Sequence, residues 1–151
     1  MTLADYIGSE QAREDVGRMV AAPAGIIKAH RVDGGFLVRG WKDAGAWFQV
    51  GVIKGDFERT IITTAYYRPD GDRFVVTDLG EGVRTACLRG LDLANAEHFE
   101  RLNALGRTLD ADFRQTAPLG WIELRDITAA DLPDAICHVM LASLNVAGVE
   151  P

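Results

Sequence analysis

Two carboxylates in a glycine-flanked loop are the side chains of this chain best placed for chemistry. Asp78 and Glu81 lie in residues 77–82, a Thr-Asp-Leu-Gly-Glu-Gly segment that directly follows a β-prone run. Carboxylate oxygens are preferred ligands of Mg²⁺ and Ca²⁺, and a bound cation can activate water for hydrolysis. The pair is therefore the candidate metal site of a metal-dependent hydrolase or nuclease, with Asp70 or Asp72 as further ligands.

The same loop also admits a structural interpretation. An aspartate at the end of a strand, followed by glycine, often accepts hydrogen bonds from the amides of its own turn or caps the next helix. A phosphate-binding loop is excluded, because residues 80–82 lack both the glycine spacing and the lysine of a P-loop. A nuclease of the Pro-Asp…Glu-x-Lys kind is disfavoured, because Arg125 stands where the lysine is needed and arginine stays protonated.

The remaining reactive side chains form no recognisable catalytic group. His30, His98 and His138 are scattered without metal-ligand spacing, and Cys87 and Cys137 lie among apolar residues, as buried free thiols do. We therefore predict no catalytic residues and no cofactor, which favours a non-enzymatic role.

A group of aromatic and basic side chains predicts an interface. Exposed aromatic residues and arginines anchor protein–protein contacts, and tyrosines on a strand with nearby arginines can also stack on single-stranded nucleic acid. Adjacent tyrosines on a strand point to opposite faces, so one of the two at positions 66 and 67 is expected in the core. The predicted interface residues are Trp41, Trp47, Tyr66, Arg68 and Arg73.

Charge and hydropathy narrow the class of partner. The net charge is −6, and residues 92–134 hold four basic and nine acidic side chains. This acidity disfavours binding to duplex nucleic acid and favours a protein partner, with a homodimer left open. No apolar run reaches the roughly 18 residues of a membrane span, and no secretion signal is visible. The sequence therefore predicts a cytoplasmic protein that does not bind a membrane.

Periodicity and turn residues predict one α+β domain over residues 1–151, with an antiparallel sheet of about five to six strands, helices packed on one face and a helix at each terminus. Helices are expected from Ser9, around residues 83–87, over Asn95–Leu109 and after Asp131. Strands are expected at Ile26–Val32, Phe36–Val38, Trp47–Ile53, Ile61–Tyr67, Phe74–Thr77 and Trp121–Ile127, with turns at residues 33–35 and 69–71.

This order of elements, with the segment Val76-Thr77-Asp78-Leu79-Gly80-Glu81 leading from a hairpin into a helix, resembles the bacterial and phage family called domain of unknown function 1828. The resemblance spans Arg59 to Val146 and leaves residues 1–58 unexplained. The proline-containing entry to the family's first strand is replaced here by Ile-Ile-Thr-Thr-Ala at residues 61–65. The resemblance implies a small cytoplasmic or phage-borne α+β domain and transfers no catalytic residue. The expected function is that of an accessory protein that acts by protein–protein binding.

Overall fold

The computed structural model describes residues 2–21, 28–32, 36–42, 47–54, 60–108, 112–116 and 119–151. Within these ranges the helices are α1 (Leu3–Ile7), α2 (Glu10–Ala21), α3 (Glu81–Leu88), α4 (Ala96–Thr108) and α5 (Leu132–Ala147). The strands are β1 (Lys28–Val32), β2 (Phe36–Lys42), β3 (Phe48–Lys54), β4 (Thr60–Asp70), β5 (Arg73–Thr77), β6 (Asp112–Thr116) and β7 (Leu119–Ile127). The predicted turn at residues 33–35 and Arg59 lie outside the described residues.

The architecture is α+β, with an antiparallel sheet and helices at both termini. In the described part of the chain the strand order is β1-β2-β3-β4-β5-β7-β6, which is seven strands where the sequence predicts about five to six. The strand missing from the prediction is β6, whose sequence Asp-Phe-Arg-Gln-Thr carries one apolar side chain. Pairing with β7, and not hydrophobic alternation, makes this segment a strand.

A short N-terminal helix was also not predicted. In α1, Thr2 Oγ1 accepts a hydrogen bond from Asp5 N at 3.1 Å and Asp5 Oδ2 accepts one from Thr2 N at 3.1 Å, which is a capping box. Tyr6 is buried, and its hydroxyl donates to the buried carboxylate of Asp15 at 2.7 Å. Burial, and then this hydrogen bond, raise the pKa of the Tyr6 hydroxyl. The predicted start of the next helix at Ser9 is confirmed, since Ser9 Oγ accepts from Ala12 N at 3.3 Å.

Helix α5 organises the core. It packs on β4, β5 and β7 and contacts α1, α2 and α3. Its apolar stripe is fully buried at Ile136, Val139 and Met140, opposite the sheet positions Ala65 and Val76. The helix begins after Asp131, as predicted, although the Asp131 side chain makes no capping hydrogen bond.

Strand β4 is longer than β5, and this difference leaves the first part of β4 without a neighbour on the β5 side. β5 pairs only with Tyr66–Asp70 of β4, so Thr60–Ala65 pairs with β3 alone. The connecting turn is Gly71–Asp72 and not residues 69–71, because Asp70 still pairs with Arg73. Gly71 has φ 65°, as the first central residue of a type II′ turn requires. Where β5 ends at Thr77, the chain turns away into α3.

Candidate functional site: a polar cleft beside helix α3

Asp78, the first candidate metal ligand, is fully buried, with an exposed fraction of 0%. Its Oδ1 accepts hydrogen bonds from the backbone N–H groups of Gly80 at 2.9 Å and Ile122 at 3.0 Å. Its Oδ2 accepts from the N–H of Gly82 at 3.1 Å and from the hydroxyl of Ser143 at 2.9 Å. An ionised carboxylate offers about four acceptor sites, so protein donors use its whole capacity.

These hydrogen bonds join β7, the start of α3 and the middle of α5 through one side chain. Two successive left-handed residues, Leu79 at φ 53° and Gly80 at φ 77°, turn the chain so that the amides of residues 80 and 82 reach the Asp78 carboxylate. The backbone adds a bond from Asp78 N to Ile122 O at 3.2 Å. This is the geometry of the structural interpretation, in which the aspartate orders its own turn and caps the next helix.

Gly82 allows α3 to approach α5 closely. A Cβ atom at this position would lie 2.7 Å from the carbonyl oxygen of Ser143, 2.9 Å from its Oγ and 3.2 Å from Asp78 Oδ2. Since such distances to backbone atoms do not occur in folded proteins, only glycine fits without a shift of one helix. The close approach fixes the orientation of α3 relative to the sheet.

Glu81, the second candidate ligand, belongs to a different network. Its side chain is 28% exposed at the start of α3, and its Oε1 accepts a hydrogen bond from the Tyr66 hydroxyl at 2.6 Å. The guanidinium of Arg84 lies 3.9 Å from the same oxygen. Over the described ranges, no group of three or more His, Cys, Asp or Glu side chains is arranged to hold a metal ion.

The additional metal ligands suggested by the sequence do not join the pair. Asp70 and Asp72 are exposed at the tip of the β4–β5 hairpin, and Asp78 follows the opposite end of β5. A five-residue strand separates the two ends, which corresponds to roughly 17 Å. The predicted assistance from Asp70 or Asp72 is therefore wrong, because the strand holds them apart.

A directed chain of hydrogen bonds lies next to Glu81. The Nε2 of buried Gln49 donates to Thr64 Oγ1 and to the Tyr66 hydroxyl oxygen, each at 3.1 Å. Tyr66 has one hydroxyl hydrogen, and its 2.6 Å bond to a carboxylate uses it. The atom that Gln49 presents to Tyr66 must therefore be its nitrogen, which fixes the orientation of the amide. Among the described residues, the Gln49 Oε1 has no hydrogen-bond partner.

An open cleft of about 370 Å³ lies between α3 and the part of β4 that β5 leaves unpaired; we call it the α3 cleft. One wall is the exposed face of α3, where successive turns contribute Glu81, Arg84, Thr85 and Leu88. Gln49, Thr63 and Thr64 of β3 and β4 form the opposite wall, and Ser143 and Ala147 of α5 close one end. At the mouth, Leu88 is 83% exposed. The volume falls in the range of small-molecule and side-chain pockets.

Four of the predicted interface residues share one sheet face. The register pairs Gln49 with Tyr66, and side chains two residues apart on a strand point the same way, so Trp47 and Arg68 extend this face past the cleft. The Arg68 guanidinium stacks on the Trp47 ring, 4.7 Å from its centroid. Arg73 lies on the same face, opposite Asp70.

The structure does not place Tyr66 at an exposed interface. It is only 7% exposed, and its neighbour Tyr67 is 8% exposed, so both tyrosines are buried on opposite faces and neither offers a stacking platform. The side chain of Trp41 lies outside the described residues, although its backbone pairs with Gln49.

The two cysteines are free thiols, as predicted, but only Cys137 is buried as expected. Burial raises the pKa of the Cys137 thiol to about 12, with an exposed fraction of 1%. Burial, and then the charge of Asp92, raise the pKa of Cys87, which is only partly buried. A raised pKa reduces the thiolate fraction and hence nucleophilic reactivity. Neither cysteine lines the α3 cleft.

Several residues of the cleft were missed in the sequence, although a signal existed for two of them. Gln49 interrupts the apolar run of β3, and Ser143 interrupts the apolar stripe of α5. A polar side chain at a core position normally has a specific hydrogen-bonding role. The partners of both residues are distant in sequence, so only the folded chain identifies them.

None of the helices in the described part of the chain is both long and apolar enough to cross a membrane. Comparison with protein-family models gives no match, and the comparisons with curated proteins and with solved structures give no significant match. The resemblance to the family called domain of unknown function 1828 therefore stays a prediction, and the function is argued from the site.

Proposed function

We propose that this chain is a non-enzymatic accessory protein, cytoplasmic or phage-borne, that binds a protein partner through the α3 cleft and the adjacent Trp47–Arg68 pair. One observation carries the proposal: an open cleft of about 370 Å³ has Gln49 and Thr64 in its wall, and these two side chains lie on the same sheet face as a stacked arginine–tryptophan pair. Helices α3 and α5 form the other walls of the cleft. The partner approaches the exposed side of α3 and the neighbouring sheet face.

The groups in the cleft suit recognition because they are held in place before a partner arrives. Gln49 is 8% exposed, and its amide is fixed by Thr64 and Tyr66. Preorganised polar groups lower the entropy lost on binding. Tryptophan and arginine are also the residue types most often found at the energetic centre of protein interfaces.

The state of Asp78 favours binding over hydrolysis at this site. A carboxylate that already accepts four hydrogen bonds from the protein would have to give up at least one of them to coordinate a cation. The metal-dependent hydrolase remains the alternative proposal for Asp78 and Glu81. A nucleic-acid module based on Arg68 and Arg73 is the second alternative.

The test is capture of partners from the source organism with the wild-type chain and with two surface variants. Leu88→Ser removes the exposed apolar group at the mouth of the cleft, and Phe99→Ser, on α4, is the matched control, because Phe99 is 38% exposed and does not line the cleft. We expect a protein that is retained by the wild type and by the Phe99 variant. Its dissociation constant, measured by calorimetry with the purified partner, should rise about tenfold with Leu88→Ser.

Three results would overturn the proposal. The first is that all captured proteins bind the Leu88 variant as well as the wild type. The second is a rise in melting temperature with millimolar Mg²⁺ or Mn²⁺ together with turnover of a substrate, which would favour the hydrolase. The third is salt-dependent retention on a nucleic-acid column that is lost on substitution of Arg68 and Arg73.

A further inference from the structure

The α3 cleft has an excess of unused hydrogen-bond acceptors at fixed positions. The two donors of the Gln49 amide are directed to Thr64 and Tyr66, and the Tyr66 hydroxyl is directed to Glu81. Over the described residues, this leaves Gln49 Oε1 and Glu81 Oε2 without hydrogen bonds. Both residues line the cleft and both atoms can only accept, so a ligand group that bonds to either atom must donate.

The charges on the cleft wall indicate that the donor group carries a positive charge. Glu81 is the acidic side chain of the cleft wall, and it is positioned by the hydrogen bond from Tyr66. Arg84, the basic side chain of the wall, lies 3.9 Å from Glu81, which is too far for a hydrogen bond, and its own side chain is 60% exposed. Arg84 is therefore a loosely held internal cation, and a better-placed external cation would displace it.

The mouth of the cleft suits the stem of a long basic side chain. Leu88 and Ala147 line the cleft together with the polar groups, and Leu88 is 83% exposed. Lysine and arginine side chains cover apolar surface with their methylene groups while their charged heads reach polar partners. A head group between Glu81 and Gln49 would place such a stem along Leu88.

We infer that the α3 cleft binds a lysine or arginine side chain of the partner protein, with Glu81 and Gln49 as acceptors for its charged head. This inference rests on the proposed function and names the chemistry of the partner. It also agrees with the net charge of −6, which attracts a basic partner surface.

The test uses small probes and two charge variants. The Nα-acetyl methylamides of lysine and arginine are titrated into the ¹⁵N-labelled chain, and the amide shifts of residues 81–88 are followed by NMR. The norleucine and glutamate derivatives are the apolar and anionic controls. We expect saturable shifts at the cleft with the basic probes only.

The two charge variants should act in opposite directions. Glu81→Gln keeps an oxygen for the Tyr66 hydroxyl but removes the charge, so affinity for the basic probes should fall about tenfold. Arg84→Gln removes the competing cation from an exposed position, so affinity should rise about two- to fivefold. A partner that recognised the cleft through an acidic group would show the reverse sign with Arg84→Gln.

Several outcomes would overturn the inference. These are no saturable shift at the cleft with either basic probe, tighter binding of the glutamate derivative, or weaker binding of the basic probes after Arg84→Gln. If basic probes fail while capture of a partner still depends on Leu88, the basic-side-chain inference fails and the proposed function stands. If basic probes bind as expected but no captured protein depends on Leu88, the proposed protein partner fails and the cleft is a site for small amines.

Discussion

Replacing Asp78 by asparagine tests whether this buried carboxylate is a structural residue or a metal ligand. The substitution preserves the size and shape of the side chain but turns one acceptor oxygen into an NH₂ donor. In the folded chain, both oxygens of Asp78 face donors: two backbone N–H groups at Oδ1, and one N–H and one hydroxyl at Oδ2. Either orientation of the amide therefore creates a conflict.

The least costly orientation sets the expected magnitude. With the NH₂ at the Oδ2 position, the Ser143 hydroxyl can rotate to accept, but the N–H of Gly82 faces a donor and stays unsatisfied. An unsatisfied buried donor costs about 1–3 kcal/mol, and loss of a hydrogen bond to a charged group costs about 1.5–3 kcal/mol. We therefore expect Asp78→Asn to lower the free energy of unfolding by about 3–5 kcal/mol, a large part of the about 5–15 kcal/mol typical of a domain.

The assay is urea unfolding at neutral pH, followed by circular dichroism, with Asp72→Asn as the matched control. Asp72 is exposed in the β4–β5 turn, so its substitution should change stability by no more than about 0.5 kcal/mol. A change below about 1 kcal/mol in Asp78→Asn would refute the structural role. A wild-type melting temperature that rises with millimolar Mg²⁺, and an Asp78→Asn melting temperature that does not, would instead identify a metal ligand.

Two further predictions concern packing and thiol reactivity. Gly82→Ala should destabilise the chain by at least about 1–3 kcal/mol, because its Cβ would lie 2.7 Å from the carbonyl oxygen of Ser143; thermal melting measures the change. Cys87 should react with iodoacetamide before Cys137 in the native protein, because burial raises the pKa of the Cys137 thiol to about 12 and leaves it 1% exposed. Mass spectrometry of timed digests identifies the order.

The Gly82→Ala prediction and the cysteine-labelling prediction each have a control within the same chain. Gly17→Ala, in α2, meets its nearest atom at 3.8 Å and should stabilise the chain by about 0.5–1 kcal/mol, so equal effects at Gly17 and Gly82 would contradict the packing argument. Labelling in urea should remove the difference between the thiols. Because the folded Cys137 keeps its proton above the ordinary thiol pKa of 9.0, its contribution to stability is present below pH 9 and is lost as the pH rises towards 12. Equal labelling rates in the native protein would refute the assigned burial.

Local signals in the sequence account for much of the architecture. The alternation in β4 and β5, the cap at Ser9 and the apolar stripe of α5 each reflect a preference that acts over a few residues. The sequence does not predict β6, because the strand conformation of this segment comes from hydrogen bonds to β7. The sequence does not predict α1 either, because five residues are too few to show a helical periodicity. The hydrogen bond from Tyr6 to Asp15 forms only when α1 and α2 pack together.

The candidate site also combines local sequence signals with contacts that form only in the folded chain. The sequence by itself identified residues 77–82 as the unusual segment and proposed both a structural and a metal-binding role for Asp78. It could not choose between them, because the donors that matter include Ile122 and Ser143, which are 44 and 65 residues away along the chain. Asp70 was grouped with Asp78 for their proximity in sequence, yet an extended strand holds the two apart.

Composition and local patterning thus determined the fold class, the acidic character and the segment around Asp78, because these depend on residue types and on neighbours within a few positions. Only the tertiary structure decided that Asp78 is saturated by protein donors and that Tyr66 orients Glu81. It also placed α3 beside the unpaired part of β4, where the cleft forms. The physical reason is that hydrogen bonds and packing act over a few ångströms in space, and the folded chain brings residues that are far apart in sequence within that range.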